Sequence, residues 1–155
     1  TARLRAHGNV TVQVQSQGTR TLWPSEQDSL QARAGHVREV VLLLDGRPVV
    51  WARSTTTHRA LQGPWKALSQ LGSRPLAELL FQGRAVHRAP LQTECIARHG
   101  PVDARLRRHW NALTGASAAN PAPQWARSSV FWHSGQPLRV MEAFSPWIVA
   151  LPARR

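Results

Sequence analysis

A single cysteine, Cys95, is all the thiol the chain carries, so no internal disulfide can form. A lone thiol without ligand-spaced neighbours is more often a small buried hydrophobe than a nucleophile, and Cys95 is expected to be one. The histidines, at positions 7, 36, 58, 87, 99, 109 and 133, are scattered with no HxxxH or CxxC spacing that would build a metal site on one helix face. No metal or redox cofactor is expected. Lysine is nearly missing too: Lys66 is the only one among 20 basic residues. Against 8 acids this leaves a formal charge of +12, which attracts phosphate backbones, anionic lipids and small anions alike. The arginine bias can reflect a GC-rich genome as easily as a binding surface. No aromatic-basic motif accompanies the charge, so no nucleic-acid partner is expected. No apolar run approaches the roughly 18 to 20 residues that cross a bilayer, and the start TARLRAHGNV lacks the apolar core of a signal peptide. A soluble, cytoplasmic, single-domain protein of 155 residues is expected.

What is present begins with HVREVVLLLDGRPVVWARS, residues 36 to 54. Two apolar runs flank Asp45-Gly46, a dipeptide that tolerates positive φ, and the stretch reads as a β-hairpin. Side chains alternate faces along a strand, so Arg38 shares a face with Val40, Leu42 and Leu44, while Glu39 points the other way with Val41 and Leu43. Both faces are apolar, which marks a central strand. Arg38 then either sits at the sheet margin with its head in water or requires an anion.

Residues 9 to 23, with Val10, Val12 and Val14 alternating before Gly18, predict a strand turning into a second one. A loop, WPSEQDS, follows. From Thr57 to Phe81 the period becomes helical, with Leu61, Trp65, Leu68 and Leu71 on one face and Gly72 as the stop. RPLAELLF opens a second short helix, with Pro75 at its first position and Leu76 at the second, where a backbone N–H lacks an intrahelical partner. Residues 84 to 98 read as a strand broken by Pro90, hence an edge or a bulge. PVDARLRRHWNALTG predicts a helix with Val102, Leu106, Trp110 and Leu113 inward and a basic face in solvent. ASAANPAPQ reads as a loop.

The last hairpin, WARSSVFWHSGQPLRVMEAFSP, turns at Ser134-Gly135. Leu138, Val140, Glu142 and Phe144 share one face, and Arg139 and Met141 the other. Glutamate is rarely buried unpaired. An arginine and a glutamate on apolar strand faces, with a proline-opened helix start, are the parts that would hold a small carboxylate at one end and a hydroxyl at the other around an enclosed ring.

In VREVVLLLDGRPVVWARS, LQGPWKALSQLGSRPLAELLF and WARSSVFWHSGQPLRVMEAFSP, in this order, the chain resembles the chorismate pyruvate-lyase family, which makes 4-hydroxybenzoate for ubiquinone synthesis. VDARLRRHWNALTGASAANPA has no recognised counterpart and reads as an insertion. The resemblance implies an α+β fold, one antiparallel sheet with helices packed on it, and residues 1–155 as one such domain, short of a few dozen upstream residues of the family that include a backbone contact to the ligand. It implies that the product carboxylate lies against Arg38 and the Leu76 N–H, and that Glu142 meets the product hydroxyl. Arg38 and Glu142 are thus the candidate catalytic pair. Chorismate and 4-hydroxybenzoate are the expected partners of a monomer that uses no cofactor. The enolpyruvyl carboxylate needs a second cation, for which Arg53 is the candidate, its plain alternative being a strand-end surface arginine. The competing function is that of a non-catalytic effector-binding domain of a transcription regulator, since such domains look similar in fold.

Overall fold

Two tight turns organise the sheet. Asp45 and Gly46 have φ of 48° and 81°, and Ser134 and Gly135 have φ of 49° and 72°, the left-handed pairs whose twist matches that of antiparallel strands. The computed structural model describes residues 2–81 and 85–151. Among these, strands β1 (Val10–Thr21), β2 (Ala34–Leu44), β3 (Arg47–Thr56), β4 (Val86–Arg88), β5 (Gln92–Cys95), β6 (Trp125–His133) and β7 (Gln136–Phe144) form one sheet. Its order is β1-β2-β3-β7-β6-β4, with β5 also on β6, and every pairing is antiparallel. Helices α1 (Ala2–Arg5), α2 (Pro24–Leu30), α3 (His58–Gln62), α4 (Ala77–Leu80), α5 (Pro101–Thr114) and α6 (Pro146–Val149) cover it. This is the expected α+β single sheet. No helix among the described residues is long and apolar enough to cross a membrane.

The two faces of the sheet carry different cores. Val41, Leu43, Trp51, Met141 and Ala143 meet Leu106 and Trp110 of α5. On the other face Val40, Leu42, Val50 and Ala52 pack with Leu4 and, partly buried, Trp147 and Ile148, while Leu138, Val140 and Phe131 meet Trp65, Leu68, Leu71 and Leu80. The alternation read along β2 and β7 holds residue for residue. Helix α5 is therefore part of the core: its Leu106 and Trp110 are completely buried.

Several expectations are corrected. Residues 10–21 are one strand with no turn, because Gly18, at φ 150°, stays in the ladder opposite Val37. WPSEQDS is helical: Pro24 suits the first helical position, and the Glu26 carboxylate accepts the Trp23 backbone N–H at 2.8 Å. The helical period of 57–71 is split into α3 and a 3-10 turn over Lys66–Gln70. Gly63-Pro64 divides them, since proline disfavours helical backbone in the residue before it. The buried face is still the one the period marks. Pro90 does separate two short edge strands, β4 and β5, although Arg84, where that segment was to begin, lies outside the described residues. Cys95 is exposed, not buried: it ends β5, a short strand whose four residues are all exposed.

Candidate active site

Four rows of side chains run across the strands on the α4 side of the sheet, each set by the ladder register. One row is Arg38, Ser54, Val140 and Ser129; the next is Val40, Ala52, Glu142 and Arg127. Beyond them lie Leu42, Val50 and Phe144 on one side and Leu138, Phe131 and Arg88 on the other. The middle of this lattice is small: Ala52, Ser54 and Ser129 leave room above the sheet where larger side chains would fill it. The resulting cavity of about 130 Å³ is roofed by Pro75, Leu76, Leu80 and Phe81. A wider concavity of about 570 Å³, lined mainly by Leu4, Trp125, Phe144 and Ile148, adjoins it at Arg127 and has no acidic residue among its described lining.

Arg38 lies at one end of the cavity, 1% exposed. Its Nη2 donates to the carbonyls of Gly72 at 2.9 Å and Arg74 at 3.1 Å. Among the described residues no carboxylate forms an ion pair with it, and its buried Nε has no partner. Burial accordingly pulls the guanidinium below its ordinary value. The two carbonyls tie Arg38 to the segment that delivers Leu76. That segment is turned by Gly72 at φ 58°, a conformation that favours glycine. Leu76 precedes α4, and its carbonyl accepts from Leu79 and Leu80. None of the hydrogen bonds among the described residues uses its N–H.

Glu142 lies two strands from Arg38 and one row along, roughly 12 Å between Cα atoms from standard strand spacings. Its carboxylate accepts from Arg127 Nε at 2.8 Å, and the Arg127 guanidinium stacks 4.7 Å from the Phe144 ring centroid. The three residues singled out in sequence, Arg38, Leu76 and Glu142, thus line one cavity. A site with a bare buried cation at one end, a carboxylate at the other and apolar walls between can take a flat ring bearing a carboxylate and a hydroxyl.

A family model described as chorismate lyase matches residues 1–150. The chain belongs to the chorismate lyase family. It is 41% identical over 154 residues to a probable chorismate pyruvate-lyase of Albidiferax ferrireducens, covering 94% of this chain and 78% of that one. To a protein of the same name from Azoarcus sp. it is 44% identical over 157 residues, covering 98% and 81%. Among solved structures it is similar in fold to the C-terminal domain of the histidine utilization repressor from Pseudomonas syringae pv. tomato, with a TM-score of 0.57 at 14% identity over 95% of this chain and 99% of that one. Residues 102 to 122, read as an insertion, fall inside the span matched by the family model.

Arg53 is not in this lyase-family cavity. It points from the opposite face, 3% exposed, and donates to Glu26 at 2.6 and 3.0 Å and to Glu39 at 3.1 Å. Its guanidinium also lies 3.6 Å from the Trp23 ring centroid. It is neither the ligand for a second carboxylate nor a surface arginine. Glu39, fully buried, is closed from the other side by Arg105 of α5 at 2.7 to 3.1 Å. Burial alone would raise the Glu39 carboxyl; the Arg105 hydrogen bonds and the Arg53 and Arg105 charges outweigh it and hold the group below its ordinary value. Arg105, on the basic face of α5, therefore has a structural task. Arg127 is the site residue that sequence reasoning missed. Counting outward from the Ser134-Gly135 turn sets it opposite Glu142, so the signal was present.

Proposed function

We propose that this chain eliminates pyruvate from chorismate to leave 4-hydroxybenzoate, with Arg38, Leu76 and Glu142 holding the ring. The observation that carries this is Arg38: a guanidinium 1% exposed in a cavity, with carbonyls but, among the described residues, no carboxylate paired with it and no partner for its Nε. A buried cation without a counter-ion is costly, and the ring carboxylate of chorismate would supply the missing charge through a two-pronged hydrogen bond. The Leu76 N–H adds a donor at that end. Glu142 accepts from the C4 hydroxyl at the other.

In the reaction the C3–O ether bond breaks with its electron pair going to oxygen, and the enolpyruvyl group leaves as the enolate of pyruvate. The C4 hydrogen is lost as a proton, which makes the ring aromatic; the departing enolate takes up a proton at its methylene carbon. No electrons are exchanged with any third party. Aromatisation supplies the driving force, and the protein contributes by fixing the ring at both ends and excluding water from the breaking bond. All the proposed contacts come from one chain, in keeping with a monomer. A dianionic substrate that does not cross bilayers unaided fits a cytoplasmic enzyme, and the product fits use as the ring precursor of ubiquinone.

The likeness to a repressor domain is one of fold at 14% identity, whereas the identity to proteins named chorismate pyruvate-lyase is 41% and 44%. Incubation with chorismate tests the proposal, with 4-hydroxybenzoate followed by absorbance and pyruvate by a coupled lactate dehydrogenase assay. Equimolar release of both is expected. Saturable binding of chorismate with no turnover would instead make the domain an effector binder.

A further inference from the structure

Chorismate carries two carboxylates, and the cavity lining carries Arg38, Arg88 and Arg127 against the single acid Glu142, a net of two positive charges for a ligand of two negative ones. With Arg38 committed to the ring carboxylate, the second carboxylate is left to one of the other two arginines. The substrate's own geometry chooses between them. The enolpyruvyl ether is on C3, next to the C4 hydroxyl, so its carboxylate must lie at the Glu142 end of the cavity. Arg127 is bonded to Glu142 at 2.8 Å. Arg88 stands opposite Phe131, four residues along β6 from Arg127 or about 13 Å, towards the Arg38 end.

From this we infer that Arg127 is the residue that receives the enolpyruvyl carboxylate, and so the residue by which the site tells substrate from product; this rests on the lyase function proposed above. Arg127 is equipped for it. Only its Nε is used by Glu142, so the Nη groups retain their donors among the described residues. Its stacking on Phe144 fixes the plane of the guanidinium. With 43% of its side chain exposed it remains open to an incoming anion. It also offsets the repulsion that Glu142 would otherwise exert on a carboxylate bound beside it. 4-Hydroxybenzoate has no group at C3 and makes no such contact.

The test uses two stable ligands that differ in the arm carrying the second carboxylate: 4-hydroxybenzoate, and 4-hydroxybenzoate bearing an oxyacetate group at C3. Titration calorimetry is run on the wild type, Arg127→Ala, Arg127→Lys and Arg88→Ala, each checked for folding by circular dichroism. Arg127→Ala is expected to weaken the dianion by about 10- to 100-fold, the range for losing a charge-assisted hydrogen bond. Its affinity for 4-hydroxybenzoate should stay within about threefold, on the same grounds that no charged contact is lost. Arg127→Lys should recover part of the loss. With chorismate, Arg127→Ala should lower kcat/KM by a similar factor. Equal losses for both ligands would reduce Arg127 to a prop for Glu142, and loss of the dianion preference in Arg88→Ala instead would move the subsite; either result overturns the inference. A wild type that binds the dianion through Arg127 yet releases no pyruvate from chorismate would sink the proposed lyase function and leave the subsite standing.

Discussion

Arg38 and Glu39 are chain neighbours whose side chains leave opposite faces of β2: Glu39 is closed in by the guanidinium groups of Arg53 and Arg105, while Arg38 among the described residues hydrogen-bonds only to the carbonyl oxygens of Gly72 and Arg74. One face spends its charges internally, and the other keeps an uncompensated cation in a cavity. The two residues should respond to mutation in opposite ways.

Arg38→Met is expected to leave stability within about 1 kcal/mol of wild type, because replacing an uncompensated buried charge by an apolar group of similar length is close to neutral or favourable. Affinity for 4-hydroxybenzoate should fall by roughly 2 to 4 kcal/mol, the scale for losing a charged hydrogen-bond partner in a desolvated site. Urea titration and calorimetry measure the two. A variant that is strongly destabilised but binds normally would make Arg38 a structural residue.

Glu39→Ala should do the reverse. Removing the acid leaves Arg105 without a carboxylate and Arg53 with Glu26 alone, and losing one partner of a buried pair costs up to about 3 to 5 kcal/mol. The folded fraction should keep a KM for chorismate within a few-fold of wild type, since neither Glu39 nor Arg53 lines the cavity. A large rise in KM at low temperature, where the variant is folded, would contradict the assignment of this network to structure.

Mild acid should destabilise the protein, in part through His109. The indole N–H of Trp51 donates to His109 Nδ1 at 3.1 Å, a bond that only the unprotonated nitrogen can accept. Burial holds this imidazole below its ordinary value, with Arg105 and Arg108 acting in the same direction against Glu39. The unfolded chain therefore binds more protons as the pH drops through about 6.5, and stability falls there. His36, lowered by burial and by His58 and Arg38, acts with the same sign. Glu39, lowered in the native state, contributes stability that is present above about pH 4.3 and is lost further down, as the pH falls through its native value. Denaturant unfolding at pH 7.5 and 5.5 should show the first loss, and His109→Asn should narrow it. An undiminished difference in that variant would assign the loss elsewhere.

Leu76 is expected to act through its main chain. Leu76→Met should keep most activity, whereas Leu76→Pro removes the N–H and should weaken 4-hydroxybenzoate by at least about 1 kcal/mol, the value of a hydrogen bond. Comparable losses in the two variants, both shown to be folded, would place the contribution in the side chain instead.

Much of this was written locally. Asp45-Gly46 and Ser134-Gly135 dictate two hairpins because few other dipeptides accept positive φ at both positions. Strict alternation along β7 then puts Glu142 on the Leu138 and Val140 face whatever surrounds it, and the same rule separates Arg38 from Glu39. Register from the second turn even pairs Arg127 with Glu142. Helix α2 was less legible, since its start depends on a carboxylate three residues on accepting the Trp23 N–H in a stretch rich in polar residues.

Only the tertiary structure decided the fate of Arg53. Counted outward from Asp45-Gly46, β3 would set Arg53 opposite Arg38 and on the cavity face. Instead the ladder runs from Leu43 opposite Pro48 to Leu42 opposite Val50, so Val49 is an extra residue and every later side chain of β3 is turned over. A shift of one residue in a structure of period two does nothing less. Pro48, with no N–H to give the ladder, suits such a bulge. What makes the turned-over register the stable one is contributed from far away: Glu26 and Glu39 compensate Arg53 on the far face, with Arg105 sharing Glu39, while Ala52 and Ser54 fall on the near face as the small residues that open the cavity. The chain alone determined which residue types face each other across a turn; burial, which prices an unpaired charge by everything packed around it, determined which face became the site.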